Sequence, residues 1–256
     1  ALASLSPARL YFGRGKADIG YNRSLSDHPE LYDNSVDVLK VRYDDKRESY
    51  VFLASCHAVF STAGKLHYTL SANYPGVARK LVEERTNTKN SLFLQGTAGD
   101  INPRDNGQYI TGEKLSNEVI SVLNRPLEEI TGPINFFLDT INVNVTPMIR
   151  ADLAEFRSGS TDKPKDISAI KNVNYADLIM AHYDRGTLPV SNPVYVQTIN
   201  IGNWKLVGFS RETTSEYSLA VKEMYPGRIV SVTGYSNDVS SYLPTSRHVQ
   251  KRNYEG

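Results

Sequence analysis

GYSNDVSSYLPTSRHVQKRNYEG, residues 234–256, closes the chain and follows a short apolar run of β character, Arg228–Val232. Gly234, Ser236, Asn237 and Asp238 are turn formers, so the chain leaves a strand and enters a loop. Tyr235, Tyr242 and Tyr254 then fall among Arg247, His248, Lys251 and Arg252. A loop of Tyr, Asn and Arg at a strand end is where α/β proteins carry binding groups. The plainer alternative is a surface loop whose tyrosines pack on the body.

The same pattern, a strand that ends in a polar group, recurs upstream. Asp37–Tyr43 alternates Val, Leu, Val and Tyr with polar residues, the period of a strand. A charged turn, Asp44-Asp45-Lys46-Arg47, leads into a second strand, Tyr50–Ser55, and the two make a hairpin. That strand runs into Cys56-His57. His57 is either a core imidazole bonded to a backbone carbonyl or a metal ligand. Ser91–Leu94 is a short buried strand that delivers QGTAGDINPR, residues 95–104. Its glycines and small residues let the backbone approach a ligand closely, or make a tight structural turn. Val194–Ile201 and Trp204–Phe209 are strands joined by Gly202-Asn203, a type I′ hairpin signal. The second ends at Ser210-Arg211-Glu212, where Glu212 is either a carboxylate facing a helix N-terminus or a ligand.

Helices are expected from Pro75, with Val77, Leu81 and Val82 on the apolar face, and over Gly112–Leu123, with Leu115, Val119, Ile120 and Leu123. A third is expected over Thr213–Met224. Residues 150–190 read as helical with a break through Ser158-Gly159-Ser160-Thr161, and His182 there as a helix-surface residue. Leu10–Ile19 and Ile134–Val145 read as strands, and Pro7 stops a scrap of helix before them. Asn22-Arg23-Ser24 reads as a polar loop with a solvated arginine, and His67 as a loop histidine. The whole predicts an α/β fold, a mixed β-sheet with helices packed on its faces, as one domain over residues 1–256.

Composition narrows the function. With 40% apolar residues in 256, the chain can bury a sizeable core. A net charge of +1 gives no basic excess for nucleic acid. One cysteine, Cys56, excludes an internal disulfide framework and a cysteine-based zinc cluster. No apolar run approaches the roughly 18 residues of a membrane span.

The quoted motifs together resemble the catalytic domain of the neutral/alkaline, non-lysosomal ceramidases. Gly234-Tyr235-Ser236-Asn237, Tyr242 and Tyr254-Glu255 match that family's closing motif, and Gln95–Arg104 its Q-[SG]-x-A-G-D-[VI]-[NS]-P. Asn22-Arg23-Ser24 matches its N-R-[SR]. The resemblance implies zinc held by His57, Glu212 and Tyr242, and catalytic roles for Arg23 and Tyr254 at the substrate. Gly96, Thr97, Asp100 and Asn237 would belong to the loops around the substrate, with Asp100 and Asn102 tying the loop rather than reacting. The chain departs from the pattern in places. Ala58 follows His57 where proline is usual, Asn73 stands for an aspartate, and Phe209-Ser210-Arg211 precedes Glu212 in place of small residues. Gly96 stands where some members have a serine, which excludes a serine nucleophile there. The family's H-T-H segment, expected upstream, has no counterpart, since no His-x-His occurs in this chain. A fragment, or a member without its first segment, is therefore expected, with weak zinc binding and no catalysis unless those histidines are supplied.

The implied function is zinc-dependent hydrolysis of the amide of ceramide or a related N-acyl lipid by metal-activated water. The alternatives are a zinc hydrolase of a small non-lipid amide and a non-catalytic, ligand-binding remnant. A secreted or periplasmic location is expected by the resemblance, with any membrane contact peripheral.

Overall fold

The computed structural model describes residues 5–60, 70–161 and 167–256; His67 and the residues between Thr161 and Ile167 lie outside that set. The chain divides into two compact units, Ala1–Asp139 with Tyr195–Gly256, and Thr140–Val194.

The first unit is built on two mixed sheets. Sheet one has the order β5-β4-β3-β1-β7, from β1 (Ala8–Lys16), β3 (Ser35–Tyr43), β4 (Glu48–Ala54), β5 (Ser91–Gln95) and β7 (Glu128–Ile130). β3 and β4 form the expected antiparallel hairpin, β4 and β5 run parallel, and β2 (Gly20–Asn22) pairs antiparallel with β6 (Ile101–Pro103) in a separate ladder. Sheet two has the order β12-β10-β9-β8, from β8 (Ile134–Asn144), β9 (Ser191–Ile201), β10 (Trp204–Phe209) and β12 (Ile229–Thr233). β9 and β10 are antiparallel, whereas β10 and β12 are parallel. The β9–β10 turn differs from expectation in one detail. Gly202 has φ +55° but Asn203 is not left-handed, so the turn is not type I′. Gly202 is required there anyway, because a Cβ would sit 1.8 Å from the Thr131 carbonyl oxygen.

Strand alternation assigns the layers. On β3, Val36 and Val38 face α1 (Asn73–Thr86) and α2 (Gln108–Leu123), in a core with Phe52, Tyr74, Ala78, Val82, Leu115 and Val119. The opposite face carries Leu39 and Phe12 to Trp204, Ile130 and Leu206, a core between the sheets. On β10 and β12, Val207, Val230 and Val232 turn the other way, onto Val221 of α5 (Ser215–Met224). The unit is thus layered helix, sheet, sheet, helix. The expected apolar face of α1 is shifted by a residue: Tyr74, Ala78 and Val82 are buried, with Val77 and Leu81 on its flank. α2 starts four residues earlier than expected and buries Val122.

Polar clamps cross the layers. Arg14 forks onto Asp37 at 2.5 and 2.9 Å and donates to the Val230 carbonyl at 2.6 Å. Asp37 also accepts from Ser231 at 2.6 Å, and Ser231 from the Trp204 indole at 3.1 Å. Every polar group in this inter-sheet set has a partner, which buried polar groups require.

The second unit holds α3 (Arg150–Thr161) and α4 (Ile167–Arg185). His182 is half-buried on α4, with Nδ1 2.9 Å from the Thr187 hydroxyl. α3 runs through Ser158 to Thr161, so the break expected at those residues does not occur there. No described helix is long and apolar enough to cross a membrane.

Candidate active site

Two parallel strand pairs, β4–β5 in sheet one and β10–β12 in sheet two, end at the same edge of the first unit. An isolated bridge between Gly96 and Thr233 joins the two sheets there. The segments that leave these four strand ends carry His57, Gly96–Asp100, Glu212 and Gly234–Asn237. Ligands in open α/β sheets bind at the carboxyl ends of strands.

His57 lies three residues beyond β4 and is anchored by its own N–H on the Ile101 carbonyl at 2.9 Å. Its Nε2 faces the Gly99 carbonyl at 3.3 Å and Glu212 Oε2 at 3.6 Å. Its Nδ1 is 3.4 Å from the Tyr235 hydroxyl, and the two rings meet edge to face. Burial, followed by the positive charge of Arg23, lowers the His57 pKa, so the imidazole is neutral near pH 7. The contact with Glu212 is therefore not an ion pair. The sequence left two readings of this residue, a carbonyl-bonded core imidazole or a ligand, and the ring has both the carbonyl neighbour and the facing carboxylate.

Glu212 is not on a helix. It lies in β11 (Glu212–Thr213), paired in parallel with β13 (Tyr242–Leu243), while Thr214 holds the N-cap position of α5 without a side-chain capping bond and Glu216 is the acid in its first turn. That corrects the helix-terminal alternative and starts the helix at Ser215 rather than Thr213. The pairing sets Glu212 beside Tyr242 in register. Burial, and then the Glu212 charge, push the Tyr242 phenol up in pKa against the opposing pull of Arg23.

Arg23 is not a solvated loop residue. Its Nε and Nη2 both engage Glu255 Oε1, at 3.0 and 2.9 Å, and Nη1 donates to Asn102 Oδ1 at 3.0 Å. Nη2 also reaches the Gly99 carbonyl at 2.9 Å and the Tyr242 hydroxyl at 3.4 Å. Burial opposes the guanidinium charge, but the Glu255 contacts outweigh it and raise the pKa. Tyr254 sits 6.0 Å from the Arg23 guanidinium carbon and edge to face with Tyr242, yet is 83% exposed. It follows α6 (Ser246–Lys251), a short helix in a stretch expected to be loop throughout.

His57, Glu212, Tyr242, Arg23 and Tyr254 thus form one chain of neighbours. The other expected residues lie around it. Gly96 packs so closely that a Cβ would stand 2.2 Å from Ser55 Oγ. Thr97 is fully buried, and Asn237 is exposed, bonded to Gln197 at 3.1 Å and outside the cluster. Asp100 is fully buried and accepts from Asn22 at 2.7 Å and from the Ser215 N–H at 2.8 Å. Its carbonyl also holds the Arg23 N–H at 2.9 Å. Asn73 donates to the Phe60 carbonyl at 2.7 Å and accepts from the Tyr74 N–H at 3.0 Å, a double role that an aspartate could not fill.

Sequence reasoning had not given roles to Tyr235, Glu255 or the Gly99 carbonyl. Glu255 carried a signal in its position beside Tyr254; the Gly99 carbonyl, a backbone atom, carried none. His248 was also passed over: it is fully buried, its Nε2 3.2 Å from Asp100 Oδ2 and poorly aligned with it.

As a metal site the His57–Glu212 pair fits in type and spacing, and the set is short in number. Two ligands of one tetrahedral zinc, each about 2.1 Å from the ion, lie roughly 3.4 Å apart. The His57–Glu212 distance of 3.6 Å is close to that. Among the described residues, however, no group of three or more His, Cys, Asp or Glu could hold an ion, so a third donor from this chain would be the Tyr242 phenol.

The fold is shared with neutral ceramidase from Pseudomonas aeruginosa, which aligns over 100% of this chain and 49% of its own, with a TM-score of 0.69 and 16% sequence identity. A ceramidase complexed with C2 aligns over 100% of this chain and 51% of its own, at the same TM-score and identity. The chain thus spans about half the length of these solved proteins. No protein-family model and no curated protein sequence matches it.

Proposed function

We propose that this chain carries the larger part of the active site of a ceramidase-like hydrolase, one that cleaves the amide of ceramide or a related N-acyl lipid. The observation that carries this reading is the facing of His57 Nε2 and Glu212 Oε2 at 3.6 Å, beside an arginine fixed by Glu255. His57, Glu212 and Tyr242 would hold zinc, which when bound lowers the pKa of a water molecule and polarises a carbonyl.

The remaining work falls to the chain's own groups. A neutral His57 offers a lone pair at Nε2 once its proton sits on Nδ1, where the Tyr235 oxygen can accept it. Burial pushes the Tyr235 phenol up in pKa, so it keeps its proton and stays a neutral partner. Arg23 is held by Glu255, Asn102 and the Gly99 carbonyl, so its guanidinium is oriented beside the Tyr242 hydroxyl before substrate arrives. A fixed guanidinium of that kind can stabilise the oxyanion that forms when an amide carbonyl is attacked. Tyr254, exposed and above Arg23, can donate its hydroxyl to the same oxygen. No serine can be the nucleophile at residue 96, because glycine stands there and carries no hydroxyl.

A second reading, hydrolysis of a small non-lipid amide, is favoured by one observation. The cleft of about 420 Å³ beside Arg23 is lined by Arg23, Ser24, Asn253, Tyr254 and Glu255, groups suited to a polar substrate end rather than an acyl chain. On either reading the protein acts outside the cytoplasm, secreted or periplasmic, and any membrane contact is peripheral.

The test is elemental analysis of the full-length gene product, followed by assay on ceramides and short N-acyl amides. One zinc per chain with release of fatty acid is expected. A metal-free protein that cleaves neither class would remove the hydrolase reading, and activity on short amides alone would select the second.

A further inference from the structure

Arg211 stands directly before Glu212 and adopts φ +73°, a left-handed conformation disfavoured for any residue with a Cβ. It is 4% exposed. Its backbone N–H donates to the Asp238 carbonyl at 2.6 Å, and its carbonyl accepts from the Tyr235 N–H at 2.9 Å. Its guanidinium Nη1 donates to Ser241 Oγ at 2.7 Å and to Ser240 Oγ, while Nη2 lies 3.8 Å from Asp238 Oδ2. All of these partners belong to one segment, residues 235–241, which runs from the end of β12 to Tyr242.

On either side of this knot lie the bonds that register the two proposed ligands. The Glu212 N–H donates to the Ser241 carbonyl at 3.0 Å, and the Thr214 N–H to the Leu243 carbonyl at 3.2 Å. β11 and β13 have only two residues each, too few to hold a register by themselves. A glycine would satisfy the left-handed backbone at residue 211 without strain, but it has no guanidinium. Non-glycine residues in such conformations persist where the surroundings over-determine them.

We propose that Arg211 is a positioning residue that clamps residues 238–241, so that Glu212 and Tyr242 emerge side by side. Its functional meaning rests on the hydrolase reading above, whereas the clamp itself does not. Arg211 touches neither substrate nor metal on this account.

The test compares Arg211→Gly, Arg211→Lys and the pair Ser240→Ala/Ser241→Ala in the full-length protein, by amide hydrogen exchange and by zinc titration. In Arg211→Gly, exchange at Glu212 and Thr214 is expected to rise about tenfold or more while β3 and β4 stay protected, a local opening rather than global unfolding. The serine pair should reproduce it, and Arg211→Lys should partly restore protection. Zinc affinity should fall by about tenfold in Arg211→Gly and recover in part with lysine, which a residue important only for folding would not show. Unchanged exchange at Glu212 and Thr214 in Arg211→Gly, or unchanged zinc affinity beside a zinc-binding wild type, overturns the clamp. If Arg211→Gly fails to fold, the serine pair decides alone: local loss of protection supports the clamp, and none overturns it. A wild type that binds no zinc counts against the hydrolase reading, and exchange still decides the clamp.

Discussion

Two loops meet at the candidate site, and they reach close contact by opposite means. The Gln95–Arg104 loop does it by omission. Gly96 bridges to Thr233, and Gly99 presses against Glu212, where a Cβ would stand 2.4 Å from the backbone oxygen. The segments around Arg211 and Tyr235–Asn237 do it by compensation. Arg211, Tyr235 and Asn237 all have positive φ and none is glycine. There, side-chain and backbone bonds hold conformations that glycine would adopt freely. A loop tightened by absent side chains tolerates almost no addition, whereas a loop held by bonds can be loosened one bond at a time.

The largest expected effect comes from adding a methyl to the first loop. Gly99→Ala places Cβ against the Glu212 and Thr213 backbones, which cannot rotate away as a side chain can. A loss of about 3 kcal/mol or more in denaturant unfolding is expected. A loss under about 1 kcal/mol would show that the two loops are not in rigid contact.

Next comes Asp33, which ties the start of β3 to α5. Its carboxylate meets Lys222 of α5 at 2.7 Å and accepts from Ser35 at 2.7 Å and from Ser218. Burial alone would raise its pKa, but Lys222 and the two hydroxyls hold it below the ordinary value. A carboxyl with a depressed folded pKa contributes stability above its unfolded pKa, about 4, and loses it as pH falls through the lower folded value. Asp33→Asn is therefore expected to cost about 3 kcal/mol at pH 7, and the gap from wild type should close below about pH 4. A gap that is constant from pH 7 to pH 3, in urea unfolding at each pH, would show that the charge is not what matters.

Gly96→Ser is expected to cost less, about 1–2 kcal/mol, because the nearest obstacle is the Ser55 side chain rather than backbone. It should create no serine-dependent activity, readable with a fluorophosphonate probe; labelling of the new serine would reopen a nucleophile route that this chain lacks.

The smallest effect has the opposite sign. Arg252 ends α6 with φ +50°, its side chain exposed. Arg252→Gly is expected to stabilise by about 0.5–1 kcal/mol, measured as a rise in Tm, since glycine suits the left-handed end of a helix. A fall in Tm would mean that this exposed residue is compensated as Arg211 is.

Much of this arrangement was legible. The alternation of β3 and β4, the short β5 and the pair β9–β10 were all readable, because a buried face repeats at a fixed period along the strand. His57 and Glu212 were readable as residues that follow a strand for the same reason, whereas Tyr242 was singled out by the family resemblance. The stretch Gly234–Gly256 was not readable in detail. β13 has two residues and α6 has six, lengths at which periodicity carries no information. Arg23 read as a solvated arginine because its partners, Glu255 and Asn102, are distant in sequence.

The amino-acid sequence by itself determined the longer strands and the residues that follow them, and excluded an internal disulfide framework and a cysteine-based zinc cluster. It also determined, through Gly96, that one route to a nucleophile is closed. Only the tertiary structure decided that strand ends from two different sheets share one edge. It likewise decided that His57 faces Glu212 and that Glu255 holds Arg23. The physical reason is range. Periodicity and turn chemistry act between residues a few positions apart. Arg23 and Glu255 meet 232 positions apart, a contact made by the packing of layers that no local pattern encodes.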